Sequence, residues 1–230
     1  MQRTIIDLPR MFGPLVSEWS INPMGVSAGE GVTGTGQVIY GQQPRWEASL
    51  TLSGFRPEQV RAWRVVKAKM RGRVNILRVP LCDMHRTSWR QLGITVPHPD
   101  PGIPHSDGTL HSDGTGYARE LYFFAPAALE PGDDSIVFDA GDVRGALIPG
   151  QWFSHDDWPY LVTGIFDEAG GLTRYTFEPP LRRAIPAGGI IKLAATALMA
   201  FTKDDEGKMS LDLGKRGTAV INLIEWTNRP

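Results

Sequence analysis

The sequence predicts a mainly β protein with one flanking α-helix, and three observations carry that expectation. Glycine and proline make up 44 of the 230 residues (26 and 18), close to a fifth of the chain against roughly 12% in ordinary proteins. Short apolar runs recur between turn signals: "ELYFFAPA", "DSIVFDA", "QWFS", "PYLVTGIFD", "TRYTFEPP", "GIIKLAATALMAF" and "TAVINLIEW" are separated by "EPGDD", "IPGQ", "DEAGG" and "PAGG". Only residues 55–72 carry a sustained helical period. Short strands at this spacing fold into sandwiches or barrels.

Residues 1–36 read as an extended arm with at most one short strand, then the Gly-rich loop "GVSAGEGVTGTG". The arm, Met1 to Val16, carries Ile5, Ile6, Leu8, Met11, Phe12, Leu15 and Val16 without a regular period. It is too apolar for a free tail, so it packs either on its own core or on a neighbouring subunit. Next, Trp46, Ala48, Leu50 and Leu52 alternate with Glu47, Ser49 and Thr51, the period of a half-buried strand.

"FRPEQVRAWRVVKAKMRG" is the helix. Pro57 suits its first position and Gly72 its stop. Val60, Trp63, Val66 and Met70 share one face, and the basic residues of the last turn complement the helix dipole. Trp46 and Trp63 lie on the apolar phase of their elements and are expected as core anchors. Arg61, Arg64, Lys67 and Arg71 form either a solvated face or a surface turned to a lumen or an acidic neighbour.

"RVNILRVPLCD" returns as a strand, and residues 84–120 hold an irregular connection. "KDDEGKM", 203–209, reads as a solvated hairpin tip. In the final strand, Ala219, Ile221, Leu223 and optionally Trp226 can close the core. The expected organisation is a discontinuous first domain, residues 1–96 and 188–230, around an inserted β-barrel-like module, 97–187, with an irregular connector at 97–120.

The 24 basic and 25 acidic residues give a formal charge of -1. That balance offers no basic field for sequence-specific nucleic-acid binding and no polybasic membrane anchor. Cys82 is the single cysteine, which excludes an internal disulfide. Asp7, Pro9 and Arg10 interrupt the first residues, leaving no apolar core for a signal peptide. No apolar run approaches the roughly 18 residues of a membrane span. A soluble protein made in a reducing cytoplasm is expected.

Several motifs invite a chemical reading. "GVSAG", Gly25 to Gly29, fits the nucleophile elbow around Ser27, but that motif needs a strand turning sharply into a helix. "GEGVTG", Gly29 to Gly34, fits a dinucleotide fingerprint, which also needs a following helix. No helical pattern begins before Pro57, so both are readings of a Gly-rich loop. Cys82 and His85 form C-x-x-H, with His98 downstream, but a second zinc-ligand pair is missing. No acid–base pair converges, and neither an enzyme nor a cofactor is expected.

The segment "PHSDGTLHSDGTGY" repeats His-Ser-Asp-Gly-Thr. Asp107-Gly108 and Asp113-Gly114 are strong turn dipeptides, so two successive turns are the favoured reading. His105, Asp107, His111 and Asp113 are the set that a metal would use. Further on, Trp152, His155, Trp158 and Tyr160 surround "HDDWPY". They form either core or a contact for a glycan or another protein.

The order of these segments resembles that of distal tail proteins and related baseplate-ring proteins of long-tailed, siphovirus-like phages and of gene-transfer-agent-like particles. The resemblance spans residues 37–200. It rests on Trp46, Trp63, the "MRGR" of Met70 to Arg73, Pro80 to Asp83, the paired "SDGT", Pro149 to Phe153, Tyr160 to Val162 and Pro179 to Arg182. The histidines of the repeat depart from the aromatic that is commoner in that family, which leaves an opening for a metal or pH effect.

The resemblance implies a tail-tube-like β-sandwich or split barrel and a virion structural role. Six copies would form a ring that continues the tail tube and joins it to the hub and baseplate. DNA would cross the lumen in transit only. The location implied is the virion tail tip, after synthesis in the host bacterial cytoplasm. The alternative expectation is a carbohydrate- or receptor-binding module of a tail, baseplate or cell surface.

Overall fold

The structure is a computed structural model that describes residues 3–9, 11–13, 16–30, 36–39, 41, 43–83, 85, 87, 107, 109, 112, 122–139, 147–211 and 217–229. Its elements run β1 (Ile5–Asp7), β2 (Val16–Asn22), β3 (Val26–Glu30), β4 (Gly36–Ile39), β5 (Arg45–Phe55), α1 (Pro57–Met70) and β6 (Ile76–Pro80). Then come β7 (Tyr122–Phe124), β8 (Ser135–Asp139), β9 (Trp152–His155), β10 (Trp158–Glu168), β11 (Leu172–Glu178) and β12 (Ile190–Lys192). The last are β13 (Thr196–Phe201), β14 (Met209–Leu211) and β15 (Gly217–Glu225). The protein is mainly β, with one helix among the described residues.

The chain divides into two compact units: Met1–Cys82 with Ala197–Pro230, and Asp83–Thr196. Both boundaries differ from the expected 96/97 and 187/188. The apolar run "GIIKLAATALMAF" is the reason. It looks like one strand, but its first part, β12, pairs with β7 and β9, while β13 pairs with β15.

The first unit is built on a seven-stranded sheet in the order β1-β6-β13-β15-β5-β2, with β14 also paired to β15. It is mixed: β1 and β6 are parallel, while β13–β15, β15–β5 and β5–β2 are antiparallel. Trp46, Ala48, Leu50 and Leu52 are buried on β5, as the alternation predicts. Register sets Leu52 opposite Ala219, Leu50 opposite Ile221 and Ala48 opposite Leu223. α1 contributes Val60, Trp63, Val66 and Met70 as its buried residues. Trp226 belongs instead to a smaller cluster around Ile76, Leu198 and Ala200.

The helix starts at Pro57, where Gln59 Oε1 accepts the backbone N–H of Arg56 at 2.8 Å. It ends at Arg71, whose left-handed φ of 49° turns the chain one residue before Gly72. The turn at 203–209 is not a free tip. Asp204 accepts the backbone N–H and Nε of Arg73, both at 3.1 Å. Glu206 is buried and accepts from the Thr202 hydroxyl at 2.8 Å and the Asn222 N–H at 3.1 Å.

The arm docks on its own unit. Ile6, Leu8 and Phe12 are buried, Leu8 N–H reaches the Arg78 carbonyl at 3.0 Å, and Gln59 Nε2 donates to the Met11 carbonyl at 2.7 Å. The Phe12 ring lies edge-on to Trp63 at 5.8 Å and tilted against Phe55 at 5.2 Å. Part of the expected Gly-rich loop is instead the β3–β4 hairpin, with Val26 opposite Ile39.

The second unit is a six-stranded antiparallel sheet in the order β7-β12-β9-β10-β11-β8. One core gathers Ile136 and Phe138 from β8, Phe153 from β9, Trp158, Tyr160 and Val162 from β10, Tyr175 and Phe177 from β11, and Ile191 from β12. Tyr160 stacks on Phe153 at 5.2 Å, and Phe177 meets both rings at 5.4 Å.

Candidate functional site: exposed apolar surfaces on the two units

On the first unit, α1 turns its buried stripe to the core and leaves two flanks. Arg61, Arg64 and Arg71 are exposed and Lys67 is half-buried. Among the described residues no ion pair engages their side chains. The other flank, with Ala62, Val65 and Lys69, borders the arm across a groove of about 760 Å³. Ile6 and Val66 are its buried members, while Ile5, Val65 (53% exposed) and Val74 stay open to solvent. Lys69 and Arg71 line the same groove. Asp7 also lines it, and its carboxylate is engaged by Arg78 Nη1 at 2.6 Å. The result is an apolar groove with a basic edge.

On the second unit, the outer face of β10, β11 and β8 carries a cross-strand ladder. Phe166 stands opposite Arg174, which stands opposite Val137; Glu168 stands opposite Leu172, which stands opposite Asp139. Phe166 (50% exposed), Val137 and Leu172 are all open to solvent. The Arg174 guanidinium lies 5.7 Å over the Phe166 ring, and its Nε is 3.0 Å from Glu168 Oε1. Gly164 admits the ring: a Cβ there would stand 2.9 Å from Phe166 Cε2. A second exposed pair, Tyr122 and Phe124 on β7, packs edge-on at 5.4 Å, with Ile190 opposite Phe124 and Lys192 opposite Tyr122.

Trp46 and Trp63 are each 1% exposed. Trp158 (6%) and Tyr160 (1%) sit in the second core and His155 is buried, so with half-buried Trp152 they form no exposed aromatic platform. Of the two expectations for these rings, core or contact, Trp158 and Tyr160 take core positions on β10. His155 Nδ1 is 2.8 Å from the Ile190 carbonyl oxygen. Asp156 and Asp157, both at positive φ, make the tight turn, and Asp157 accepts the Thr196 hydroxyl at 2.6 Å. Of the exposed aromatics that sequence reasoning missed, Tyr122 and Phe124 lie in a run where neighbours on both faces are apolar, while Phe166 precedes Asp167 and Glu168.

Ser27 lies in a hairpin strand opposite Val38 rather than at a strand–helix turn. Cys82 and His85 are exposed, and no group of three or more metal-ligating side chains occurs among the described residues. His105, His111 and Asp113 lie outside the described residues. Asp107 and Ser112 lie in turns. Asp107 Oδ1 accepts the Thr109 hydroxyl at 2.7 Å and its N–H at 2.9 Å, which holds the Asp107 carboxyl below the usual aspartate value.

No protein-family model matches the chain, and no curated protein does. No described helix is long and apolar enough to cross a membrane.

Proposed function

We propose that this protein is a structural ring component of a phage or phage-like tail tip, continuing the tail tube and linking it to the hub and baseplate. One observation carries the reading: each of the two units presents a group of exposed apolar side chains set among charged ones, Ile5, Val65 and Val74 on one and Val137, Phe166 and Leu172 on the other. Contiguous exposed apolar surface marks sites of protein association. The mainly β architecture with one flanking helix, and the segment order around Trp46, Trp63 and "MRGR", support the tail-tube-like assignment. Six copies would surround a lumen through which DNA passes without sequence recognition, and the near-neutral charge suits passage better than retention.

Light scattering with negative-stain imaging of the same fraction tests this. Closed rings with a central hole are expected, alone or on addition of tail-tube protein. A chain that stays monomeric at every concentration and with the tube protein present overturns the reading.

A second reading, a glycan- or receptor-binding module, is favoured by the exposed rings of Tyr122 and Phe124. It expects a small particle that binds sugars and loses them on Phe124→Ala. Unchanged sugar binding in that variant, or none in the parent, removes it.

A further inference from the structure

The geometry points to a specific contact between copies: the β10–β11 hairpin face of one copy docks into the α1 groove of the next. This rests on the ring reading above and adds the two surfaces that meet. The groove offers Ile5, Val65 and Val74 beside Lys69 and Arg71. The hairpin offers Val137, Phe166 and Leu172 around Arg174, which pairs with Glu168 and leaves Asp139 as the excess charge. Each surface sets apolar side chains among charged ones, and the excess charges are opposite in sign. Such matching supplies register and partner choice.

β9 pairs only with Trp158 to Leu161, so among the described residues β10 from Gly164 to Glu168 pairs with β11 alone. Ile165 and Phe166 point to opposite faces of the strand and both are exposed, while Tyr175, across from Ile165, stays buried. Phe166 is held in place by Gly164 beneath it and Arg174 above. A ring already ordered loses little rotamer freedom on docking.

The Tyr122–Phe124 surface is the poorer match, because Lys192 stands opposite Tyr122 and no acidic residue is in register with either ring. A contact between two different surfaces repeats head to tail, which closes a ring when the rotation allows.

The test uses full-length chains carrying Cys82→Ser. One chain adds Val65→Cys; a second, tagged to differ in mass, adds Leu172→Cys. The two are mixed, allowed to assemble and mildly oxidised. A disulfide-linked species containing one of each chain is expected on a non-reducing gel. Rings on the grid without that species overturn the contact and leave the ring reading standing. If the thiol of Val65→Cys is then shielded from a small alkylating reagent, another occupant fills the groove.

If neither parent nor variants assemble even with tail-tube protein present, the ring reading and this contact fall together. A charge exchange guards against a misfolded cysteine variant. Lys69→Glu should raise the concentration needed for assembly by roughly tenfold, and adding Asp139→Lys should restore it. No rescue by the second change counts against the contact.

Discussion

The indole Nε1 of Trp63 donates a 3.0 Å hydrogen bond to the carbonyl oxygen of Gly207, across 144 residues of sequence. Gly207 has φ 69°, and a Cβ there would stand 2.6 Å from Trp63 Cζ2. The turn at 203–209 therefore anchors the helix that precedes it by so much chain. Gly207→Ala combines left-handed strain with a clash and is expected to cost about 2 to 3 kcal/mol. Trp63→Phe removes the donor from a buried carbonyl and much ring volume, and should cost at least about 2 kcal/mol. Urea unfolding curves measure both, and a change below about 0.5 kcal/mol in either would contradict this packing.

Phe12 tests where the arm belongs. It is 3% exposed within a single chain, against Phe55 and Trp63. Phe12→Ala is expected to destabilise the isolated chain by about 3 kcal/mol, at a protein concentration too low for assembly. If the arm instead packed on a neighbour, the variant would leave monomer stability unchanged and weaken association only.

Asp204 gives a pH dependence of defined sign. The side-chain hydrogen bond from Arg73, then its backbone N–H, holds the carboxyl below the ordinary value of 3.8. A carboxyl whose folded pKa is depressed binds its proton more readily in the unfolded chain. Its contribution is complete above the unfolded value and is lost as pH falls through the lower folded value. The stability gap between the parent and Asp204→Asn should therefore be widest at neutral pH and close in strong acid. It should also narrow with salt, since the pair is exposed. Urea midpoints across that range check it; a gap independent of pH would assign the effect to the turn and not to the charge.

The unit boundary can be tested by two deletions. Removing 83–196 and joining Cys82 to Ala197 with a short linker should leave a chain that unfolds cooperatively by circular dichroism. Removing only 97–187 leaves Ile191, Leu193 and Ala195, buried in the full chain, without their sheet. That product should aggregate or melt broadly. Equal behaviour of the two deletions would refute the boundary at Thr196.

Much of this fold could be read from residue order. The alternation from Trp46 to Leu52 and the 3–4 spacing of Val60, Trp63, Val66 and Met70 predict elements and buried faces, because a single periodicity dominates each. The run "GIIKLAATALMAF" could not be divided, because Lys192 and Thr196, its two polar residues, do not by themselves show where one core ends and the other begins. The hairpin at Val26 and Ile39 was hidden by glycines that local composition assigns to a loop. The aromatics around "HDDWPY" face inward because the turn at Asp156-Asp157 sets the strand phase, and turn geometry decides which face a ring occupies. The exposed surfaces were the least legible. Val65 and Phe166 are apolar residues on the polar phase of their elements, and only three-dimensional neighbours distinguish an open position from a buried one.

The sheet of the first unit also imposes an order on synthesis. β15, residues 217–225, lies between β13 and β5, so the inner faces of β5 and α1 lack their central neighbour until those residues have left the ribosome. The inserted unit, complete by Thr196, is free to fold earlier as an independent body. A chain terminated before residue 217 would hold a folded insert and an unfinished sheet. Strand order alone would then delay the closing of that sheet behind the folding of the insert.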